Sequence, residues 1–370
     1  MKYFIIAGEA SGDLHASNLI REIKSLDSNA VFQGMGGELM RKQGCSLVQD
    51  YRNMAFMGFV AVLFNLKAIR RNFQIAHQAI MNFRPDHLIL IDYPSFNLKI
   101  AKFAKQHIAN IKITYYIPPK AWAWKKWRVH KIAQYSDKIL GIFPFEPEFY
   151  KSYGYNAEYV GNPTVESIDR FIHANAHIEK TKSIVLVPGS RPHEVEKCLP
   201  KMLLAVEKYA DEYEINITQA PALDSPIYER IISKTLKGRY HPNLCLDTYL
   251  TVTKAAVAVV NSGTATLETA LLRIPQVAVY HIAFPHIAGL IWKLVFTIRH
   301  FTLVNIIAGK EVIKELLAYL FTVKNIQTEL DKLLLDSEYR AKMLDEYERI
   351  EEKLGHNRTA EEAAKIICNK

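Results

Sequence analysis

The chain opens on a short unbroken apolar run, Tyr3-Phe4-Ile5-Ile6, the pattern of a strand covered on both faces. Ala7-Gly8-Glu9-Ala10-Ser11-Gly12-Asp13 then leads into a helical pattern over 14–26. Further short runs at 88–91, 113–117, 138–142 and 158–160 alternate with helical stretches, which predicts a parallel sheet wound by helices. Gly161-Asn162-Pro163 breaks the series, and a second begins with strands at 183–187, 215–219, 256–260 and 276–280. The pattern predicts two such α/β halves facing each other across a cleft. From about Gln327 onward the sequence is charged and helical with no strand signal, so this tail is expected to pack outside a sheet or against a partner subunit.

Chemistry is expected where the strands end, because an α/β domain builds its site at strand-to-helix turns. In the first half, Gly8 and Gly12 allow close approach of a ligand, and the following helix points its positive end the same way. The spacing is not Gly-x-Gly-x-x-Gly, so a dinucleotide fingerprint fits poorly. Asp92 closes the run Leu88-Ile89-Leu90-Ile91, where a desolvated carboxyl can act as general base toward an alcohol; capping of the next helix is the alternative. In the second half, Gly189 and Ser190 amides, a helix dipole and the Arg191 guanidinium suit a diphosphate, or else form a capping turn with a surface arginine. A second small-residue turn, Ser262-Gly263-Thr264-Ala265-Thr266, precedes Glu268, one turn into its helix and placed to accept from two ribose hydroxyls. Together these turns describe a nucleoside-diphosphate pocket, and no Gly-x-x-x-x-Gly-Lys-Ser/Thr supports an ATPase. Metal ligands are sparse, with no Asp-x-Asp and no paired His at helical spacing, so no metal is expected.

Length and composition narrow the class. With 370 residues, 49% hydrophobic and 23% charged, the chain has material for about two cores and is not disordered. A net charge of +9 favours an anionic partner: nucleic acid, a phosphorylated metabolite or an anionic membrane. Cys45, Cys198, Cys245 and Cys368 lack metal-ligand spacing and no signal peptide precedes the first strand, which suggests a reducing, cytoplasmic setting. No apolar stretch reaches the roughly 18 residues of a spanning helix, so membrane association would be peripheral.

One segment suggests such an association. Met54-Ala55-Phe56-Met57-Gly58-Phe59-Val60-Ala61-Val62-Leu63-Phe64 is apolar on every helical face and is followed by Lys67, Arg70 and Arg71. An interfacial element combines these features, sinking into acyl chains while cations meet lipid phosphates; a core helix is the alternative. Trp122, Trp124 and Trp127 interleave with Lys120, Lys125, Lys126 and Arg128, suggesting an aromatic and cationic rim for a lipid phosphate. Single-stranded nucleic acid would also suit that interleaving, but no base-reading motif accompanies it, so no nucleic-acid partner is expected.

Gly8-Glu9-Ala10-Ser11-Gly12-Asp13, Ile91-Asp92-Tyr93-Pro94-Ser95-Phe96-Asn97, Pro188-Gly189-Ser190-Arg191 with Glu194-Val195, and Ser262-Gly263-Thr264-Ala265-Thr266-Leu267-Glu268 together resemble the lipid-A-disaccharide synthase family. Pro118, Ala121-Trp122-Ala123-Trp124, Phe143-Pro144-Phe145-Glu146 and Asn305 before Ala308-Gly309-Lys310-Glu311 add to the likeness, which covers nearly the whole chain. The resemblance implies an inverting, metal-independent glycosyltransferase of two facing Rossmann-like, doubly wound domains (GT-B type) with a helical C-terminal segment. Residues 1–162 would form an acceptor and membrane-facing domain, 163–340 a UDP-sugar domain, and 341–370 a tail crossing domains or reaching a partner. It would transfer 2,3-diacylglucosamine from its UDP derivative to 2,3-diacylglucosamine 1-phosphate at the cytoplasmic face of the inner membrane of a Gram-negative-type cell, without a cofactor. The products would be the β(1→6)-linked disaccharide 1-phosphate and UDP.

Residue by residue, the resemblance makes Asp92 the catalytic aspartate, Arg191 the essential arginine, and Ser262 to Glu268 with Asn305 the UDP region, while Gly8, Glu9, Ser11, Gly12 and Asp13 line the acceptor loop. Ser95 stands where family members often carry a second acid. Members also exchange C-terminal segments in a homodimer, which a strand-free tail permits. An epimerase or peptidoglycan-type transferase on the same scaffold, and a non-enzymatic sugar-nucleotide sensor, are the rival readings.

Overall fold

The computed structural model describes residues 1–54, 66–123, 126–175, 177–282 and 299–369. The chain divides into two compact units, one of residues 1–163 with 356–370 and the other of 164–355.

In the first unit, β1 (Lys2–Ala7), β2 (Val31–Gly36), β3 (Ser46–Asp50), β4 (His87–Ile91), β5 (Lys112–Tyr116), β6 (Lys138–Gly141) and β7 (Glu158–Tyr159) form one sheet in the order β3-β2-β1-β4-β5-β6-β7. Every pairing is parallel. The period-2 alternation of β1 splits it between two cores: Phe4 and Ile6 join one face, Tyr3, Ile5 and Ala7 the other. The helices are α1 (Ala10–Leu26), α2 (Glu38–Lys42), α3 (Leu66–Phe83), α4 (Pro94–His107), α5 (Arg128–Tyr135) and α6 (Glu146–Lys151). α1 begins at Ala10, so residues expected in a loop form its first turn, and Gly12 there would bring a Cβ to 3.2 Å from Ala7 Cβ.

After α7 (Pro163–Ala174), the second unit carries β8 (Ser183–Val187), β9 (Glu214–Thr218), β10 (Asn243–Cys245), β11 (Val257–Asn261), β12 (Gln276–Tyr280) and β13 (Lys314–Leu317), again all parallel, in the order β10-β9-β8-β11-β12-β13. Its helices are α8 (Pro192–Val206), α9 (Ser225–Leu236), α10 (Thr248–Lys254), α11 (Thr264–Leu271), α12 (Leu303–Ala308), α13 (Val323–Leu335) and α14 (Ser337–Leu354).

The strand-free tail is shared between the units. α14 lies within the second, whereas α15 (Thr359–Cys368) returns to the first and buries Ala363, Ala364 and Ile367 beside Ala16, Leu19, Ile20 and Ile23 of α1. Lys138 Nζ bonds the Ile366 carbonyl and Asn369 Oδ1 at the end of α15, where a cation also meets the negative helix terminus.

Candidate active site

Each sheet reverses its winding once, between β1 and β4 in the first unit and between β8 and β11 in the second. Doubly wound sheets bind ligands outside the carboxyl ends of the strands at such a switch point. The sequence motifs follow these four strands.

In the first unit, the loops after β1 and β4 touch. A Cβ at Gly8 would lie 2.3 Å from the Tyr93 ring, so only glycine lets the two loops close together. Asp92 and Tyr93 both adopt left-handed backbone, with φ of +41° and +45°, a conformation that costs non-glycine residues on the order of 1 kcal/mol or more each. Neighbours hold Asp92 there: its N–H donates to the Ile117 carbonyl (3.2 Å), and its carbonyl accepts from Asn97 Nδ2 (2.8 Å) and Tyr115 Oη (2.7 Å). The N-cap of α4 is Tyr93, and no side chain caps that helix. The Asp92 side chain reaches solvent, yet crowding by protein pushes its pKa up, against the pull of Lys120 and Arg128.

The remaining residues of the first loop divide. Glu9 is half-buried and close enough for its charge to act on Tyr93, and Ser11 is exposed. Asp13 is buried, and its carboxylate accepts from the amides of Gly37 (2.8 Å), Leu39 (3.1 Å) and Met40 (3.1 Å). It therefore caps α2 from the interior with both oxygens engaged by these amides, which differs from its expected place among the acceptor residues.

The segment after β5 is pinned by Glu146, a residue to which the sequence alone assigns no role. Glu146 accepts from Ile142 N–H (2.8 Å), Phe143 N–H (3.0 Å) and Trp122 Nε1 (3.2 Å). Trp122 packs edge-on against Phe143 and Phe145, with centroids 5.7 and 5.0 Å away, so it belongs to the interior and not to an aromatic rim. Burial raises the Glu146 pKa to about 7. A carboxyl raised in the folded state stabilises the fold most below its unfolded value near 4.5, and that contribution is lost as pH rises through 7. Glu146→Gln, which mimics the protonated group, should gain up to roughly 3 kcal/mol relative to wild type between pH 5 and pH 8. Denaturant unfolding at the two pH values measures this; a constant difference between the proteins would mean that Glu146 titrates in its ordinary range.

In the second unit, residues from the ends of β8, β9, β11 and β12 line a cavity of about 480 Å³ that includes Gly189, Ser190, Arg191, Ser262, Gly263, Thr264 and Glu268. Its two turns differ. Glu194 Oε2 accepts from the amides of Ser190 (3.1 Å) and Arg191 (3.3 Å), and Pro192 opens α8 without an N–H. The α8 turn is thus filled by its own carboxylate, and the expected Ser190 amide contact to a diphosphate is already taken. Gly189, at φ +115°, leaves room for this carboxylate, since a Cβ there would lie 2.7 Å from Glu194 Oε2. α11 differs: its N-cap is Gly263 with no side-chain cap, so its first amides and its dipole remain for an anion. Arg191, with a side chain 57% exposed and Nη1 3.6 Å from Glu194 Oε1, supplies the guanidinium.

Glu268 is held by Tyr249, whose hydroxyl donates to Oε1 at 3.1 Å, and burial raises its pKa. Tyr280 and Phe301, with centroids 4.9 Å apart, add an aromatic wall. Asn305 does not line the cavity. Wholly buried, it accepts from Val312 N–H (2.8 Å) and Ile313 N–H (3.0 Å) and donates to the Ile313 carbonyl and Glu315 Oε1 (both 2.9 Å). Its expected UDP contact is replaced by a role in folding the loop between α12 and β13. Tyr249 carries no sequence signal, whereas Glu194 at the third helical position carries the spacing of a residue that reaches back to an N-cap amide.

The membrane-docking residues are only partly within view. Lys67, Arg70 and Arg71 are exposed at the start of α3. Met54 is 1% exposed in the first unit's core and its carbonyl accepts from Tyr93 Oη (2.5 Å), so it is a core residue and not a docking one. Phe56, Met57, Phe59 and Leu63, like Trp124 and Lys125, lie outside the described residues. No helix among the described residues is long and apolar enough to cross a membrane.

A family model for lipid-A-disaccharide synthetase matches residues 3–367. The chain is 36% identical over 360 residues to lipid-A-disaccharide synthase of Nitrosococcus oceani, covering 95% of this chain and 92% of that one. It is 34% identical over 376 residues to the synthase of Geobacter metallireducens, covering 99% and 96%. Among solved structures, UDP-GlcNAc 2-epimerase from Neisseria meningitidis, bound to UDP-GlcNAc, superposes with TM-score 0.60 at 13% identity over 100% of this chain and 99% of that one. The calicheamicin glycosyltransferase CalG4 does so with TM-score 0.56 at 13% identity over 99% and 96%. At such identities these two establish the fold: two parallel-sheet α/β domains of the GT-B type.

Proposed function

The chain belongs to the lipid-A-disaccharide synthase family, and on that premise we propose that it transfers 2,3-diacylglucosamine from its UDP derivative to the 6-hydroxyl of 2,3-diacylglucosamine 1-phosphate. It is a glycosyltransferase that forms the lipid A disaccharide. The observation that carries the detailed reading is the strained, crowded Asp92 at the β1/β4 switch point of one unit, together with an uncapped helix, Arg191 and Glu268 around a cavity at the β8/β11 switch point of the other. Crowding by surrounding protein makes Asp92 a stronger base than a free carboxylate, suited to take the proton as the acceptor oxygen attacks the anomeric carbon. Attack opposite the leaving UDP inverts that carbon and gives the β linkage. Arg191 and the α11 amides meet the charge that grows on the diphosphate, and Glu268 accepts from the ribose hydroxyls.

Both substrates carry acyl chains, so the enzyme would work at the cytoplasmic surface of the inner membrane. Residues 55–64, with Lys67, Arg70 and Arg71, have the composition for that contact, each cation adding about 1 kcal/mol near anionic lipid. The test is UDP release by the purified protein supplied with donor and acceptor in anionic vesicles. Release should require both substrates; an epimerase or a sensor would not release UDP in an acceptor-dependent way. Replacing Phe56, Phe59 and Leu63 together by serine should lower vesicle binding and activity while UDP affinity persists. Undiminished vesicle binding by that variant would place the docking surface elsewhere.

A further inference from the structure

Two cations, Lys120 and Arg128, are close enough to Asp92 for their charges to act on it. Lys120 lies in the segment between β5 and α5, which Trp122 and Glu146 hold in place, and β5 pairs directly with β4. Among the described residues its ammonium has no ion-pair or hydrogen-bond partner; the charges acting on it are Asp92 and Glu146. Arg128 opens α5. It is only 8% exposed, its guanidinium carbon lies 5.7 Å from the centre of the Trp127 ring, and its charge acts on both Asp92 and Tyr115. Lys126, His130 and Lys131 flank it, while α5 has no acidic residue in its first turn and no side-chain cap. Positive charge thus crowds the positive end of a helix, an arrangement that a bound anion would stabilise.

We propose that Lys120 and Arg128 form the subsite for the acceptor's phosphomonoester, placed so that the same sugar presents its hydroxyl to Asp92. This rests on the transferase reading and its phosphorylated acceptor. The diphosphate of the donor is met by Arg191 and α11 in the second unit, so a phosphate on the acceptor calls for cations in the first unit, where Lys120 is available. Because the charges of Lys120 and Arg128 both act on Asp92, one acceptor sugar would span the phosphate subsite and the base. Two cations suit a dianion, and the acceptor's charge would offset the pull that Lys120 and Arg128 exert on Asp92.

The experiment compares acceptor with and without its 1-phosphate. Lys120→Gln should raise KM for the phosphorylated acceptor by roughly 10- to 100-fold, the loss expected for a charge-assisted hydrogen bond. KM for the donor and KM for the dephosphorylated acceptor should change less than about two-fold, because neither presents the phosphomonoester that Lys120 meets, and Lys120→Arg should restore most of the affinity. In the wild-type protein, the phosphorylated acceptor should shield Lys120 from amine acylation and the dephosphorylated one should not, a readout independent of how any variant folds. Equal losses on both acceptors, or no phosphate-dependent shielding, would overturn the subsite while leaving the transferase reading intact. Failure of the wild-type protein to use the phosphorylated acceptor at all would overturn both.

Discussion

Replacing Asp92 by asparagine is expected to reduce turnover by roughly 10²- to 10⁴-fold, the range for loss of a general base, while UDP affinity stays within a few-fold of wild type. The variant is chosen for its backbone. Asp92 sits at φ +41°, a region asparagine tolerates better than most residues, so the loop should survive while the base is lost. The carbonyl of residue 92 would still receive Asn97 and Tyr115, whose bonds do not involve the altered side chain. The pH profile carries the second part of the expectation. Because crowding by protein raises the Asp92 pKa, the acid limb of wild-type kcat/KM should lie above the value of a free aspartate, and the residual activity of the variant should lack that limb. Turnover within a few-fold of wild type would remove Asp92 from the chemistry and leave its strained backbone without a catalytic purpose.

Arg191→Ala should weaken UDP binding by roughly 10- to 100-fold and slow transfer by a further factor of about 10 or more, because charge on the diphosphate grows as the glycosidic bond breaks. The size reflects how little else the cavity offers an anion. Arg191 is the one Lys or Arg among the described residues that line it, and the amides of Ser190 and Arg191 are already held by Glu194. Losing the guanidinium leaves the diphosphate to the start of α11. Calorimetry with UDP and steady-state turnover separate the two effects. A change in turnover with unaltered UDP affinity would mean that Arg191 meets only the transition state; no change in either would return it to a surface residue beside Glu194.

The strands that reverse the winding are legible in the sequence because all four are short apolar runs buried on both faces. β2 is not. Its Gly34 and Gly36 argue against a strand, yet a Cβ at Gly34 would lie 2.1 Å from the Ile5 carbonyl oxygen, so close approach to β1 demands the glycine. β3 and β13 are edge strands only partly buried, and β10 has three residues, so none carries a strong period. At the site, residue types at strand ends point to the right loops but cannot tell which polar groups are already partnered. Asp13 is matched by amides 24–27 positions away and Asn305 by a loop that closes only in the folded chain. Met54 reads as the first residue of an apolar stretch, and only its packing beside Phe4, Ile6 and Met35 reveals it as interior.

The return of α15 to the first unit has a consequence for synthesis. Ala16, Leu19, Ile20 and Ile23 are made early, but the helix bearing Ala363, Ala364 and Ile367 leaves the ribosome only after all of residues 164–355. The unit whose translation begins first is therefore completed last. Through most of its production it carries an uncovered apolar stripe on α1, and a chain interrupted anywhere in the second unit would retain that stripe as a handle for chaperones and proteases.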